Sequence, residues 1–384
     1  MPKLKAPLKI LIVCHYFPPH VGGIEVVAQN QAKGLAKHGR SVSILTSAVS
    51  GKKGRQLHKD GYVVNRIPAW NFFEKLGVPF PIFSPRLFRI SYELVKESDL
   101  VHIHDVFYVS SQVAALAAII RKRPLFITQH VSIVDHPNKS AMLVQRLLYK
   151  TIGTYLFKKA RGVIVYNVNV KTFLLALGVD ETKILQNHNG VDTDFFTPAS
   201  DPEKLQLKLK YGLPPAKPVI LFVGRLVPKK GYDLVYNVKS EEYITLIVGE
   251  GRVSVWMVEG ENMRFFGSAN RAELLDLYRL SDIFVFPAVG EIFTLVMQEA
   301  MACGLPIVTT SDKGYSDYKL RRELIGFTDR NVRAIQQKIR SILSNNELRL
   351  KMSRYSRQFA TEEFNWDSNY ANEITVYNLP ETSS

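Results

Sequence analysis

Short apolar runs that alternate with helical patterns constrain this chain most, and the alternation occurs twice. Residues 10–13 read Ile-Leu-Ile-Val without a polar interruption, as expected of a strand that is covered on both faces. A helical pattern over residues 24–38 follows and ends at Gly39, and a second apolar run begins at Val42. The alternation restarts at residues 219–223. Strands that alternate with helices predict parallel sheets of the α/β class.

The segment between the two halves predicts a domain boundary. Residues 198–218 are rich in Pro and Lys and carry no strand pattern, and a chain of 384 residues is long enough for two domains. We predict two doubly wound, Rossmann-like domains that face a cleft, over residues 1–200 and 201–384. We expect the last helix to pack back on the N-terminal domain.

Composition excludes several classes of protein. With 46% hydrophobic and 22% charged residues, the chain is not intrinsically disordered. Two cysteines, Cys14 and Cys303, are too few for a disulfide framework, and we expect buried thiols in a reducing compartment. No apolar run reaches the ~18 residues that span a bilayer. These features together predict a cytoplasmic protein.

The positive charge is concentrated in the first half. Residues 1–200 hold 26 Lys and Arg against 12 Asp and Glu, a net of +14, whereas residues 201–384 hold 24 against 23, a net of +1. Such asymmetry indicates that the basic half meets an anion, such as nucleic acid, a membrane surface or a phosphorylated substrate. The alternative is a solvated basic face that only aids solubility.

Polar and glycine residues follow the predicted strands, where α/β sheets bind ligands. Gly22 and Gly23 come after the first strand and allow a ligand close to the backbone. Arg225 and Lys230 follow the strand at 219–223 and are suited to a diphosphate. Each element alone is also typical of an ordinary turn or polar loop.

Two carboxylates and a predicted helix start follow a later strand. Glu291 and Glu299 are eight residues apart, so on one helix they are separated by about 12 Å and do not share a face. This spacing suits two ends of one long ligand better than an acid and a base at one bond. The amides of Phe293, Thr294 and Leu295 form a helix N-terminus that can accept phosphate charge. The alternative is two surface glutamates that flank a buried helix, and three anion-binding elements in one chain favour the ligand.

An aromatic and basic segment, predicted as an irregular loop, interrupts the first half. It combines apolar and basic side chains, as binding to an anionic lipid surface requires. The residues that we assign to this membrane or acceptor surface are Trp70, Phe72, Phe73, Lys75, Arg86 and Arg89.

At this level of detail the sequence resembles the retaining GT-B glycosyltransferases of family 4. The resemblance rests on residues 9–47 with their Pro-Pro and Gly-Gly pairs, Asn-Gly-Val-Asp at 189–192, Gly-Arg…Lys-Gly at 224–231, and Glu-x7-Glu at 291–299 followed by Ala-Met-Ala-Cys-Gly-Leu-Pro at 300–306. It covers residues 9–377.

The resemblance implies roles for the donor-site residues. Arg225 and Lys230 would hold the diphosphate of a nucleotide sugar, and Glu299 would bind the ribose hydroxyls. Glu291, with the backbone amides of residues 293–295, would bind the transferred sugar.

The resemblance also implies roles in the N-terminal half and a reaction. His130 resembles the active-site histidine beside the sugar, and Gly22 and Gly23 would let the N-terminal domain close on the diphosphate. The implied reaction is transfer with retention by same-face attack, without cofactor, metal or enzyme nucleophile. The sequence shows no cluster of His and Cys residues with metal-ligand spacing, in agreement with this expectation.

Two departures from the family pattern bear on the donor sugar. Thr294 stands where many relatives have Gly, and residues 311–317 replace the usual Gly-Gly…Glu loop. Both change the pocket in which the sugar of the donor is expected.

We therefore predict a retaining glycosyltransferase that uses a nucleotide sugar and a saccharide acceptor, the latter lipid-linked. It would serve polysaccharide or glycolipid synthesis, with peripheral attachment to the inner face of the membrane. The alternatives are another GT-B activity, such as nucleotide-sugar epimerisation, and a non-enzymatic protein that binds nucleic acid through the basic half. The absence of a recognisable nucleic-acid module argues against the last.

Overall fold

The chain divides into two units, Met1–Asn189 with Trp366–Ser384 and Gly190–Asn365. The structure, a computed structural model, describes residues 7–20, 22–49, 51–72, 80–133, 139–251, 260–291, 293–312, 314–315 and 318–377. The division falls before the predicted boundary at residue 200, because Val191 and Phe196 are buried in the core of the second unit. The last helix is grouped with the first unit.

The first unit is built on one eight-stranded sheet. Its strands and two further short ones are β1 (Lys9–Val13), β2 (Ser41–Ser47), β3 (Gly54–Leu57), β4 (Val63–Ile67), β5 (Ala69–Trp70), β6 (Ile82–Phe83), β7 (Leu100–His104), β8 (Leu125–Gln129), β9 (Gly162–Val165) and β10 (Ile184–Gln186). The order is β10-β9-β8-β7-β1-β2-β4-β3, and β5 pairs with β6 apart from it. The pairings in the large sheet are parallel except that of β3 with β4.

The second unit contains a six-stranded parallel sheet. Its strands are β11 (Val219–Val223), β12 (Ile244–Val248), β13 (Met263–Gly267), β14 (Ile283–Phe286), β15 (Ile307–Thr310) and β16 (Gly326–Thr328). Their order in the sheet is β13-β12-β11-β14-β15-β16. The predicted fold class, α/β with two Rossmann-like halves, is confirmed.

Helices connect these strands in both units. They are α1 (Gly23–Lys37), α2 (Arg86–Glu97), α3 (Val109–Ile120), α4 (Lys139–Leu148), α5 (Thr154–Lys159), α6 (Val168–Ala176), α7 (Asp201–Lys210), α8 (Tyr232–Asn237), α9 (Arg271–Leu280), α10 (Leu295–Ala302), α11 (Val332–Leu343), α12 (Asn346–Glu363) and α13 (Trp366–Tyr377). Within the described residues, no helix combines the length and apolar character that crossing a bilayer requires.

The central strands are covered on both faces, as their uninterrupted apolar runs predict. Leu11 and Val13 belong to one hydrophobic core of the first unit, and Ile10 and Ile12 belong to another. Because side chains alternate across a strand, the two pairs lie on opposite sides of β1. Cys14 is a free, buried thiol, as predicted, and so is Cys303.

Parallel pairing fixes where functional side chains gather. All carboxyl ends of the strands in the second sheet lie along one edge, and the loops after β11, β12, β13 and β14 meet there. In the first sheet, the carboxyl ends of β1, β7 and β8 share an edge in the same way.

Candidate functional site

The loop after β11 brings Lys230 to the end of β14. This loop ends at Gly231, whose φ of +78° lies in the left-handed region. A Cβ at this position would lie 2.6 Å from the carbonyl oxygen of Pro287. Only glycine therefore allows the loop to pack this closely against the residue that follows β14.

Lys230 and Glu291 form an ion pair, Nζ to Oε2, in which each side chain is 17% exposed. The ammonium also lies 5.4 Å from the centre of the Phe286 ring. Burial lowers the pKa of Lys230, the carboxylate of Glu291 opposes that shift, and the nearby Arg225 adds to it. The carboxylate of Glu291 thus offsets the free-energy cost of burying the charged Lys230 ammonium.

Arg225 lies in the same loop and is exposed. It follows Gly224 directly after β11, so the two cations predicted for the diphosphate both belong to the carboxyl edge of the second sheet. Their positions differ in kind, because Lys230 is held in place by Glu291 and Arg225 extends into solvent.

Glu291 precedes α10 rather than lying on it. The helix begins at Leu295 after an N-cap at Thr294, whose hydroxyl makes no cap hydrogen bond and is buried without a partner among the described residues. Phe293 has a φ of +39° and is buried. The predicted helix start at residue 293 is therefore too early, and the helical spacing from Glu291 to Glu299 does not apply.

Glu299 lies on α10 and is partly buried. The Tyr278 hydroxyl donates a hydrogen bond of 2.8 Å to its Oε2. Burial raises the pKa of Glu299 to about 7, against the lowering effects of Tyr278 and Arg271. Burial therefore makes the ionised form of Glu299 unfavourable, and hydrogen-bond donors from a ligand would stabilise that form.

A cavity of about 280 Å³ lies at the carboxyl ends of β11, β12 and β13, and we did not predict it. Backbone hydrogen bonds join its sides, from Leu226 N to Glu250 O at 2.8 Å and from Gly249 N to Gly267 O at 2.7 Å. The sequence signal was the Gly-Glu-Gly that follows β12. The residues that line the cavity are Leu226, Gly249, Glu250, Gly251, Phe265, Gly267 and Ser268.

His130 follows β8 and belongs to a cluster of histidines. Its Nε2 lies 2.9 Å from Nδ1 of His104 on β7, and its ring lies 5.4 Å from that of Tyr166. Burial lowers the pKa of His130 to about 3 and that of His102 likewise to about 3. These imidazoles are neutral at physiological pH, so they act as hydrogen-bonding groups rather than as cations.

His102 and His104 are fully buried and hydrogen-bonded, as expected of structural histidines. Residues two apart on a strand share a face, and the two rings stack with centroids 5.2 Å apart.

Gly22 and Gly23 lie at the start of α1. Gly22 is the N-cap, and a Cβ there would collide with the Glu25 carboxylate, which pairs with His20 Nδ1 at 2.8 Å. A Cβ on Gly23 would meet no atom within 4 Å. Of the pair, Gly23 is the residue that leaves open space beside the backbone.

The predicted aromatic and basic loop contains more structure than we expected. Its residues form β5, β6 and the first turn of α2. Four of its assigned residues, Trp70, Phe72, Arg86 and Arg89, are exposed. The other two, Phe73 and Lys75, lie outside the described residues.

The described residues contain no group of three His, Cys, Asp or Glu side chains placed to hold a metal ion. The polar residues that the structure brings together are instead the cations and carboxylates of the second unit and the neutral histidines of the first.

Two Rossmann-like units, one with cations and carboxylates at the carboxyl edge of its sheet, are the arrangement of the GT-B glycosyltransferases. The model of the family Glycosyl transferases group 1 matches residues 203–359, and that of Glycosyltransferase Family 4 matches residues 21–195. The chain belongs to the GT-B glycosyltransferases of family 4, as the sequence resemblance indicated, and it is a sugar-transferring enzyme.

Similar proteins agree with this assignment. The chain is 25% identical over 380 residues to an uncharacterised glycosyltransferase of Methanocaldococcus jannaschii, covering 94% of this chain and 95% of the relative. It is 28% identical over 320 residues to the D-inositol 3-phosphate glycosyltransferase of Segniliparus rotundus, covering 76% and 70%. Its fold is similar to that of Anabaena HepE in complex with UDP-glucose, with a TM-score of 0.74, 18% identity, and coverage of 97% and 100%.

Proposed function

We propose that the protein is a retaining hexosyltransferase that moves a sugar from a nucleotide-sugar donor to a lipid-linked saccharide in polysaccharide or glycolipid synthesis. The observation that carries the proposal is the ion pair between Lys230, in the loop after β11, and Glu291, which precedes α10. The second unit binds the donor and the basic first unit binds the acceptor.

The ion pair suits a site that binds and releases an anion in each reaction cycle. Before the donor binds, Glu291 neutralises Lys230. When a diphosphate binds, it pairs with the Lys230 ammonium, with Arg225 and with the amides before α10. Glu291 is then free to bind the hydroxyls of the transferred sugar. Charge on the departing nucleotide is then stabilised by groups already in place.

The nucleoside portion of the donor needs a partly polar site, and two features of the second unit can provide it. The cavity beside Leu226 and Gly249 offers backbone groups and the Phe265 ring for a base. Glu299 accepts hydrogen bonds from the ribose hydroxyls, which lower the cost of its burial. The binding of UDP-glucose by the structurally similar HepE supports this class of donor.

Retention follows from attack on the same face that the nucleotide leaves. The bond between the anomeric carbon and the phosphate oxygen breaks, the acceptor hydroxyl forms the new bond, and its proton passes to the leaving phosphate. His130 hydrogen-bonds the sugar, and the open space beside Gly23 leaves its backbone accessible to a ligand. No metal or cofactor is needed, because Arg225 and Lys230 supply the positive charge.

A lipid-linked acceptor requires contact with a membrane, and two exposed segments of the first unit support it. Phe72 and Phe88 are 67% and 64% exposed, and Phe88 stands between the exposed Arg86 and Arg89 in the sequence. On α4, three apolar side chains are exposed beside Arg146: Leu143 at 67%, Val144 at 58% and Leu147 at 62%. Apolar and basic groups together bind anionic lipid surfaces.

The donor is tested with a panel of nucleotide sugars in the presence of EDTA, followed by mass spectrometry of the products. We expect transfer to lipid-linked saccharides, with retention read by NMR of the product. Epimerised donor without transfer would support the rival GT-B activity. If short DNA or RNA stabilises the protein against heat and nucleoside diphosphates do not, the proposal is refuted. If EDTA abolishes transfer, the metal-independent mechanism is refuted.

A further inference from the structure

A buried chain of hydrogen bonds in the first unit connects the C-terminal helix α13 to His130. The Gln31 amide nitrogen donates to Oε2 of Glu373 at 2.9 Å. The Gln31 oxygen lies 2.8 Å from His104 Nε2. His104 Nδ1 in turn lies 2.9 Å from His130 Nε2. The chain thus joins residues that are hundreds of positions apart in sequence.

Each bond in this chain has a defined direction. An ionised Glu373 carboxylate only accepts hydrogen bonds, so the amino group of Gln31 faces it and the amide oxygen faces His104. His104 Nε2 therefore carries a hydrogen. Burial lowers the pKa of His104 well below its usual value, so its ring is neutral and Nδ1 is an acceptor. His130 Nε2 must then be the donor.

A second branch of the network agrees with the same assignment. The Gln31 amino group also donates to the Tyr377 hydroxyl at 3.1 Å, and that hydroxyl donates to His102 Nδ1 at 2.6 Å. His102 Nε2 then donates to Thr128 Oγ1 at 2.7 Å. Reversing the Gln31 amide would direct its oxygen at the Glu373 carboxylate. With Glu373 ionised, this orientation of the Gln31 amide gives each of the bonds named above one donor and one acceptor.

We propose that Glu373 is a positioning residue that fixes His130 as the neutral tautomer protonated on Nε2, through the hydrogen-bonded chain between them. The inference rests on the proposed role of His130 beside the sugar. With Nε2 used inside the protein, Nδ1 is left as an acceptor for a sugar hydroxyl. Histidine tautomers at functional sites are commonly set by the bond that the other ring nitrogen makes.

The position of Glu373 argues for such a role rather than for stability. Its carboxyl is buried and accepts a hydrogen bond from an amide rather than from a cation. Burial raises its pKa to about 7, so the folded protein bears a cost for this carboxylate at neutral pH. A glutamine in its place would remove the charge but would no longer dictate which way the Gln31 amide faces.

The test is 15N NMR of the full-length protein labelled at histidine, with His130 assigned by the His130→Asn variant. We expect a protonated Nε2 and an unprotonated Nδ1 for His130 in the wild-type protein. In Glu373→Gln we expect signals of both tautomers. The matched control is Tyr377→Phe, on the same helix and in the same network but outside the chain to His130, and it should keep the wild-type pattern.

Two results would overturn the proposal: a protonated Nδ1 in the wild-type protein, or an unchanged His130 pattern in Glu373→Gln. The wild-type spectrum tests the assigned tautomer of His130 even if the variant fails to fold. In transfer assays we expect Glu373→Gln to lower kcat about tenfold with little change in the KM for the donor. Full activity of His130→Ala would refute the role of His130 in the proposed function and would leave the tautomer assignment standing.

Discussion

The Lys230 ammonium is paired with the Glu291 carboxylate although 61 residues separate them along the chain. Gly231 makes the pairing possible, because its missing Cβ lets the loop after β11 pack against the end of β14. The lysine is therefore positioned before any ligand arrives. A positioned charge contributes more to stabilising a transition state than one that must be ordered during the reaction.

Replacing Lys230 by alanine should lower kcat/KM for the donor by about a hundredfold to a thousandfold, the usual cost of removing one charge-stabilising donor. Lys229→Ala is the control, because that neighbouring lysine is exposed, and it should stay within about threefold of wild type. Initial rates of transfer at several donor concentrations measure both. Equal losses in the two variants would contradict a specific role for Lys230.

Glu299→Gln should weaken donor binding and at the same time stabilise the protein. Loss of a charged hydrogen-bond acceptor for the ribose should weaken binding about tenfold or more, as measured by calorimetry with a nucleoside diphosphate. The pKa of Glu299 is raised from 4.5 to about 7 in the folded protein. Between these values the folded state binds more protons than the unfolded state, so the contribution of Glu299 to stability falls as pH rises.

The pH dependence separates this effect from a general change in packing. Relative to wild type, Glu299→Gln should gain up to about 1.4 kcal/mol of unfolding free energy per pH unit between pH 4.5 and 7, and little more above pH 7. Urea unfolding at pH 5 and pH 7 measures it. A difference between variant and wild type that is the same at both pH values would argue against the raised pKa.

The sequence was most informative where burial imposes a simple pattern. Strands covered on both faces must be apolar throughout, which made β1 and β11 recognisable. The rule that ligands bind at the carboxyl ends of parallel strands then selected Arg225, Lys230 and Glu291. By contrast, β3 is an exposed edge strand with the sequence Gly-Arg-Gln-Leu, and nothing in its composition requires it to be extended.

Other features depend on contacts that a linear pattern does not encode. The pairing of Lys230 with Glu291 and the hydrogen bonds of Gln31 to α13 are products of tertiary packing. The chain divides before residue 200, because Phe196 follows the last strand of the first unit yet packs in the core of the second. The helix α10 begins late because Phe293 takes a left-handed conformation that residue type does not predict.

The exposed leucines of α4 should bind a lipid surface. Leu143→Ser with Leu147→Ser should reduce flotation with anionic vesicles at low salt by at least about tenfold, since burying one leucine is worth about 1.5–3 kcal/mol. Leu209→Ser in the second unit is the control, because that leucine is 60% exposed on α7, and it should float like wild type. Failure of the wild-type protein to float would refute the membrane proposal.

Gly249 and Gly267 both line the cavity of the second unit and both have a positive φ, +146° and +70°. A Cβ at Gly249 would overlap the carbonyl of Gly224, whereas one at Gly267 would meet no atom within 4 Å. Gly249→Ala should therefore destabilise the protein by about 3 kcal/mol or more, from steric overlap added to backbone strain. Gly267→Ala should cost about 1–2 kcal/mol, from strain alone.

Chemical unfolding of the two alanine variants measures this difference, and nucleoside diphosphate binding should report on the same cavity. Gly249→Ala should lose binding more than tenfold, because the loop after β12 must move away from Gly224 and shift the backbone groups that line the site. Gly267→Ala keeps those groups nearly in place and should bind within a few-fold of wild type. Equal stability of the two variants would mean that the close approach of the two loops does not occur in solution.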